Sequence, residues 1–145
     1  MHFKKSNDNQ STILHEGSVP YLTFKKLDQA GVRHGFSTRM GGVSEGMFST
    51  LNLSYNRGDK KEAVDENFRR ISEAIGFDHT KLVFSNQIHE TRIHKVTKED
   101  CGKVMKDMDG LAICTDSDSA SSCLGAVCID ECIAKNSTNL LRLYR

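Results

Sequence analysis

The sequence predicts one α/β domain, a mixed sheet with flanking helices, and three observations carry that reading. Short segments rich in branched and aromatic residues, VPYLTF (19–24), VRHGFST (32–38), TRIHKV (91–96) and MDGLAIC (108–114), have the composition of strands. Among them lies one long segment in which Val64, Phe68, Ile71 and Ile75 recur at helical spacing. The 145 residues suffice for one core and hardly for two.

Taken in order, residues 1–18 are polar and read as a loose leader. KKLDQAG separates the first two strands and ends in a turn glycine. Asp59 is placed to cap the helix, and Gly76 to stop it. KLVFSNQIH (81–89) reads as half strand, half turn, and TRIHKV alternates as a strand that needs a neighbour. This order favours hairpins over parallel crossovers. From Cys114 the chain changes character: a Ser/Asp run, one short apolar patch, then a basic-apolar end. The expected division is therefore a leader (1–18), a domain portion (19–113) and a divergent or misread tail (114–145).

Twenty Lys+Arg against nineteen Asp+Glu leave a net charge of +1, which gives no footprint for nucleic acid. No apolar run reaches the roughly 20 residues of a membrane helix, and no apolar core follows the N-terminal lysines. A cytoplasmic protein with neither membrane nor nucleic-acid partner is the expectation. The five cysteines, Cys101, Cys114, Cys123, Cys128 and Cys132, are odd in number and form no C-x-x-C pair, so reduced thiols are expected. Cys123, Cys128 and Cys132 as a zinc site is the minor alternative.

The stretch HGFSTRMGGVSEGMFSTLNL (34–53) holds four glycines around one arginine. The planar fork of Arg39 suits two oxygens of a phosphate or carboxylate. Gly41 and Gly42 allow positive φ, so successive amides could form an anion-holding nest. A Gly-Gly hairpin turn with an exposed arginine on its shoulder is the plainer alternative, and residue chemistry alone favours it. In NQIHETRIH (86–94), His89 could serve as metal ligand or general base, or simply as a surface imidazole, while His94 falls on the polar face of a strand. Asp109-Gly110 reads as a turn or as an acid near a site, and residue chemistry favours the turn. Asn67, near the middle of the helix, is a polar residue kept for a hydrogen bond.

In this order and at these gaps, HGFSTRMGGVSEGMFSTLNL, Gly58-Asp59, Val64-x-Glu66-Asn67 followed by two arginines, Asn86-Gln-Ile-His89 and Asp109-Gly110 resemble the laccase-domain family, YfiH-type. That family was formerly named multicopper polyphenol oxidase and is now regarded as purine nucleoside phosphorylases. The resemblance runs from about residue 19 to residue 113. It implies a single layered α/β domain distantly like the cytotoxic necrotizing factor catalytic domain, incomplete here. It also implies a cytosolic zinc enzyme that cleaves adenosine, inosine, guanosine or methylthioadenosine with phosphate and deaminates adenosine. Copper belongs to the older name and is the lesser expectation.

By the same resemblance His89 is a zinc ligand and Arg39 an active-site phosphate contact. Gly41, Gly42 and Asn52 line the substrate, the loop staying flexible so that its backbone can approach phosphate and ribose oxygens. The family's other two ligands, in Ala-Asp-Cys-x-Pro and His-Gly-Trp motifs, have no counterpart: the chain lacks tryptophan, and its one proline is Pro20. Cys128 and Cys132 are weak substitutes. The resemblance thus implies a phosphorylase whose zinc site is incomplete in this chain. The alternative is a catalytically silent nucleoside-binding or regulatory fragment, and a small cysteine-rich zinc-binding interaction domain is the third reading. Oligomeric state is left open.

Overall fold

The computed structural model describes residues 11–31, 33–114, 120–123, 126–128 and 140–142, with side-chain surroundings described as far as residue 112. Two sheets share the chain. Strands β1 (Thr12–His15), β2 (Tyr21–Phe24), β3 (His34–Ser37), β4 (Leu82–Ser85), β6 (Val104–Met105), β9 (Ala126–Cys128) and β10 (Leu140–Arg142) form one, in the order β1-β2-β3-β10-β9-β4-β6. Strands β5 (Ile93–Lys95), β7 (Gly110–Cys114) and β8 (Ala120–Cys123) form the other, in the order β5-β7-β8. Helices α1 (Lys25–Gln29) and α2 (Lys61–Ile75) complete the described elements, with short 3-10 turns between them. The class is α/β, as the sequence implies.

The core gathers on α2. Its Val64, Phe68, Ile71 and Ile75 are buried with Val19, Leu51, Leu53, Phe77 and Leu82. The apolar stripe spaced at three and four residues is therefore the packed face. The Phe68 ring meets Phe84 edge-on at 4.8 Å and stacks on Tyr55 at 5.5 Å, which joins the helix to β4 and to the segment before it. The helix ends at Gly76, where the Phe77 amide donates back to the Ser72 carbonyl at 2.7 Å.

Two expectations need correction, the Asp59 cap and the loose leader. Asp59 does not cap α2: Lys60 holds the cap position with no side-chain bond, because the Asp59 carboxylate is engaged elsewhere. KKLDQAG is a short helix, α1, before its turn. The stretch read as a loose leader contains β1, paired antiparallel with β2 from Thr12↔Phe24 to His15↔Tyr21. As the element order implies, antiparallel neighbours outnumber parallel ones: β1–β2, β2–β3, β7–β8 and β9–β10 are consecutive antiparallel pairs, whereas β3–β10, β4–β6 and β5–β7 are parallel. For β4–β6 and β5–β7 the cause is topological, since β4 to β7 alternate between the two sheets and each strand passes over its sequence neighbour. Strands β8, β9 and β10 fall within 114–145, where residue patterning suggested no lasting element.

Candidate functional site

Within the large sheet β3 and β10 are parallel, while β10–β9 and β9–β4 are antiparallel, so β3 and β4 run in the same direction. The segment carrying Arg39 follows β3, and the segment carrying His89 follows β4. Both leave the same end of the sheet. The register Gly35↔Leu141↔Ala126↔Phe84 sets the level, with Arg39 four residues beyond Gly35 and His89 five beyond Phe84. Three inter-strand steps of about 4.8 Å put the two strands roughly 14 Å apart. The carboxyl ends of strands in an open α/β sheet are where ligands commonly bind.

The Arg39 loop is a tied lobe. The Arg39 carbonyl accepts the Thr50 and Leu51 amides at 3.2 and 3.0 Å, and the Ser44 amide donates to the Thr50 carbonyl at 2.9 Å. These bonds draw the two ends of the loop together. The Arg39 side chain closes it from outside: Nε donates to the Ser49 carbonyl and Nη2 to the Met47 carbonyl at 3.2 Å. Two donor nitrogens of the exposed fork are thus spent on the loop itself, and among the described residues no partner holds Nη1.

Gly41 and Gly42 act in a way neither sequence alternative anticipates. A Cβ on Gly42 would stand 2.0 Å from the Thr50 carbonyl oxygen and 2.5 Å from both Asn67 Oδ1 and Leu51 Cα. One on Gly41, at φ +92°, would stand 2.3 Å from the Ser18 carbonyl oxygen. The glycines admit close backbone packing. They make no hairpin. Nor are the amides a nest: that of Gly42 donates to Thr50 Oγ1 at 3.3 Å, that of Val43 to Asn67 Oδ1 at 2.8 Å, and that of Ser44 to the Thr50 carbonyl. The expected flexible loop is a braced one.

A buried polar network fastens this lobe to α2. Asn67, fully buried, accepts from Val43 and donates through Nδ2 to Ser44 Oγ and to the Asn52 carbonyl, both at 2.8 Å. Ser44 Oγ donates to Asp59 Oδ2 at 2.6 Å, and Asn52 Nδ2 donates to the same oxygen at 2.9 Å. The Ser44 hydroxyl first, then the Asn52 amide, hold the Asp59 carboxyl below its ordinary value. Asn52, expected at the substrate, makes these bonds within the scaffold. Glu66 gathers Arg69 at 2.8 and 2.9 Å and Arg70 at 2.7 Å, and Arg70 reaches the Gly41 carbonyl at 3.4 Å. So the Gly-Asp and Glu-Asn-x-x-Arg motifs brace the loop.

His89 lies exposed at φ +64°, a left-handed conformation. Its surroundings are ordered by Asp109. Oδ1 accepts the Ile88 and His89 amides at 3.0 and 2.6 Å, and Oδ2 accepts the Glu90 amide at 2.9 Å. Burial alone would raise the Asp109 carboxyl; the amides of Glu90, His89 and Ile88 outweigh it and hold the group below its ordinary value. The Asp109 and Gly110 amides both donate to the Arg92 carbonyl, and Gly110 opens β7. Asp109-Gly110 is an anchor and not the expected turn. The sequence alternative of an acid near a site comes nearer, but does not foresee that the carboxylate gathers three backbone amides. His94, on β5, is half-buried and takes no part here.

No hydrogen bond or ion pair joins Arg39 to His89 among the described residues. Nor do three His, Cys, Asp or Glu side chains stand together there as a metal set. His89 is chemically fit to bind zinc, but the described residues supply one ligand and do not complete a site. The backbone register sets Cys128 opposite Leu82, at the entry to β4, whereas His89 follows its exit. Cys132 lies outside the described residues, as do the side chains of Cys114, Cys123 and Cys128; Cys101 is a half-buried free thiol. No described helix is long and apolar enough to cross a membrane.

Residues 33–140 match the family described as multi-copper polyphenol oxidoreductase laccase, beyond the 113 at which residue motifs end. The chain is 35% identical over 111 residues to the purine nucleoside phosphorylase YlmD of Geobacillus stearothermophilus, covering 72% of this chain and 39% of that one. It is 32% identical over 101 residues to YlmD of Bacillus subtilis, also named a purine nucleoside phosphorylase, covering 68% and 36%. The crystal structure of Geobacillus stearothermophilus YlmD matches with a TM-score of 0.63 at 31% identity, over 70% of this chain and 40% of the other. That of Bacillus licheniformis YfiH, titled a hypothetical protein, matches at 0.59 and 33%, over 64% and 37%. The chain spans about two fifths of the length of the curated relatives it matches. With the family match covering most of its length and the same fold in solved relatives, the chain belongs to the multi-copper polyphenol oxidoreductase laccase family.

Proposed function

We propose that the protein acts in purine nucleoside phosphorolysis, with Arg39 and His89 marking two sides of the site. The observation that carries this is their placement: two loops, level with each other, at one end of one sheet. The relatives named purine nucleoside phosphorylase support the substrate class. In the reaction a phosphate oxygen forms a bond to C1′ of the ribose while the C1′–N9 bond breaks. The purine takes a proton and leaves, and ribose 1-phosphate is the other product. Arg39, its plane set by the Ser49 and Met47 carbonyls, presents Nη1 to the phosphate and balances its charge. Gly41 and Gly42 contribute by bringing the loop close to its own scaffold, and Asn52 by bracing it.

Adenosine, inosine, guanosine and methylthioadenosine are the proposed substrates, adenosine deamination the proposed second activity, and the cytoplasm the proposed compartment. Zinc, rather than copper, is the proposed metal. His89 would contribute one ligand, the others coming from outside the described residues. A catalytically silent nucleoside-binding module is the second reading, favoured by the lone described ligand.

Inorganic phosphate titrated into the 145-residue chain, followed by NMR at the Arg39 side chain and the amides of residues 39–51, tests the phosphate assignment. Saturable shifts at Arg39, absent in Arg39→Lys, are expected. Equal shifts in the variant would remove Arg39 from the site.

A further inference from the structure

We propose that Asp109 is the positioning residue for His89, its carboxylate forming the mould that holds His89 in a left-handed backbone conformation at the surface. The proposal rests on the reading of His89 as a site residue and adds the device that places it.

Three consecutive amides, those of Ile88, His89 and Glu90, converge on one carboxylate at 2.6 to 3.0 Å. Such convergence needs the peptide planes to turn inward together, and the turn is made at His89, at φ +64°. A side chain with a Cβ adopts that region only when something compensates, and histidine is among the residues that do so least rarely. The compensation is visible: Asp109 is 9% exposed, and each of its oxygens accepts an amide. The mould is itself fixed. The Asp109 amide donates to the Arg92 carbonyl at 2.8 Å, and Gln87 Nε2 donates to the Asp109 carbonyl at 3.3 Å. Beyond it β7 pairs with β5 in parallel from Ile93↔Gly110. The loop between β4 and β5 is therefore clasped from the start of β7, and the His89 ring is left exposed while its backbone is held.

The two oxygens are not equivalent, which gives the proposal a sharp test. Oδ1 takes two amides and Oδ2 takes one. In Asp109→Asn the carboxamide oxygen can serve the Ile88 and His89 amides, but its NH2 then faces the Glu90 N–H, donor against donor.

The experiment uses the 145-residue chain, with amide exchange and the His89 Cα and Cβ shifts read by NMR for wild type, Asp109→Ala and Asp109→Asn. The alanine variant is expected to lose protection at 88, 89 and 90 together and to move the His89 shifts out of the left-handed range. The asparagine variant keeps the fold and loses protection at Glu90 alone. Unchanged exchange at 88–90 in both variants would overturn the positioning. A zinc titration of the His89 ring signals separates this from the reading beneath it. Zinc is expected to shift the wild-type ring, with a higher midpoint in Asp109→Asn because the backbone that aims the ring has loosened. A wild-type ring indifferent to zinc would defeat the metal reading of His89 and leave exchange to decide the positioning. An unchanged midpoint despite lost protection would reduce Asp109 to a loop anchor.

Discussion

Asn67 and Val43 meet across a 2.8 Å hydrogen bond in which the side-chain carbonyl of a fully buried helix residue accepts a loop amide. One residue of α2 thereby fixes the Arg39 loop, since Asn67 also donates to Ser44 and to Asn52 on the two arms of the lobe. Buried polar groups with complete partners specify a single arrangement.

Replacing Asn67 by alanine is expected to cost about 3 kcal/mol, because it strands the Val43 amide, the Asn52 carbonyl and one bond to Ser44 in a buried place. Urea unfolding checks the magnitude. A loss below about 1 kcal/mol would mean that water or a rearranged loop replaces all three bonds.

Gly42→Ala is expected to be among the most harmful substitutions in the loop. The new methyl would meet backbone atoms of Thr50 and Leu51, which cannot move without opening the lobe. Gly17→Ala, with nothing within 4 Å, is the control and should be near neutral. Paired thermal melts settle it, and equal melting temperatures for the two variants would contradict the packing role of Gly42.

Acid should loosen the brace beneath the loop. Arg69 and then Arg70 hold the Glu66 carboxyl down to about 2, against its ordinary 4.5. A depressed folded value means that the contribution is complete above the unfolded value and is lost as pH falls through the folded one. Between pH 4.5 and about 2 the wild-type urea midpoint should fall more steeply than that of Glu66→Gln. Parallel slopes would show that this partly exposed trio of Glu66, Arg69 and Arg70 contributes nothing measurable.

What the residues announced and what they hid differ in kind. The α2 face was legible because Val64, Phe68, Ile71 and Ile75 repeat within one element, and Asn67 stood out as a polar residue there. Strand β1 was hidden by its polar setting, and its four residues are too few for a periodic signal. The alignment of the Arg39 and His89 loops could not be read from the sequence. It depends on β9 and β10, whose pairing joins β3 to β4 across more than forty residues. Likewise Asp59 looked like a helix cap and Asp109 like a turn residue. Sequence shows the carboxylate, but not which backbone amides will find it.

A chimaera decides whether Arg39 and His89 belong to one phosphorolytic site. Residues 33–112 of this chain would replace the matching portion of the Geobacillus stearothermophilus purine nucleoside phosphorylase, and release of purine from inosine would be followed at varied phosphate. Phosphate-dependent release that His89→Ala abolishes is expected, with Arg39→Lys raising the apparent KM for phosphate about tenfold, the scale of one lost charge-assisted pair. A folded chimaera that releases purine with unchanged phosphate dependence after both substitutions would contradict a shared site.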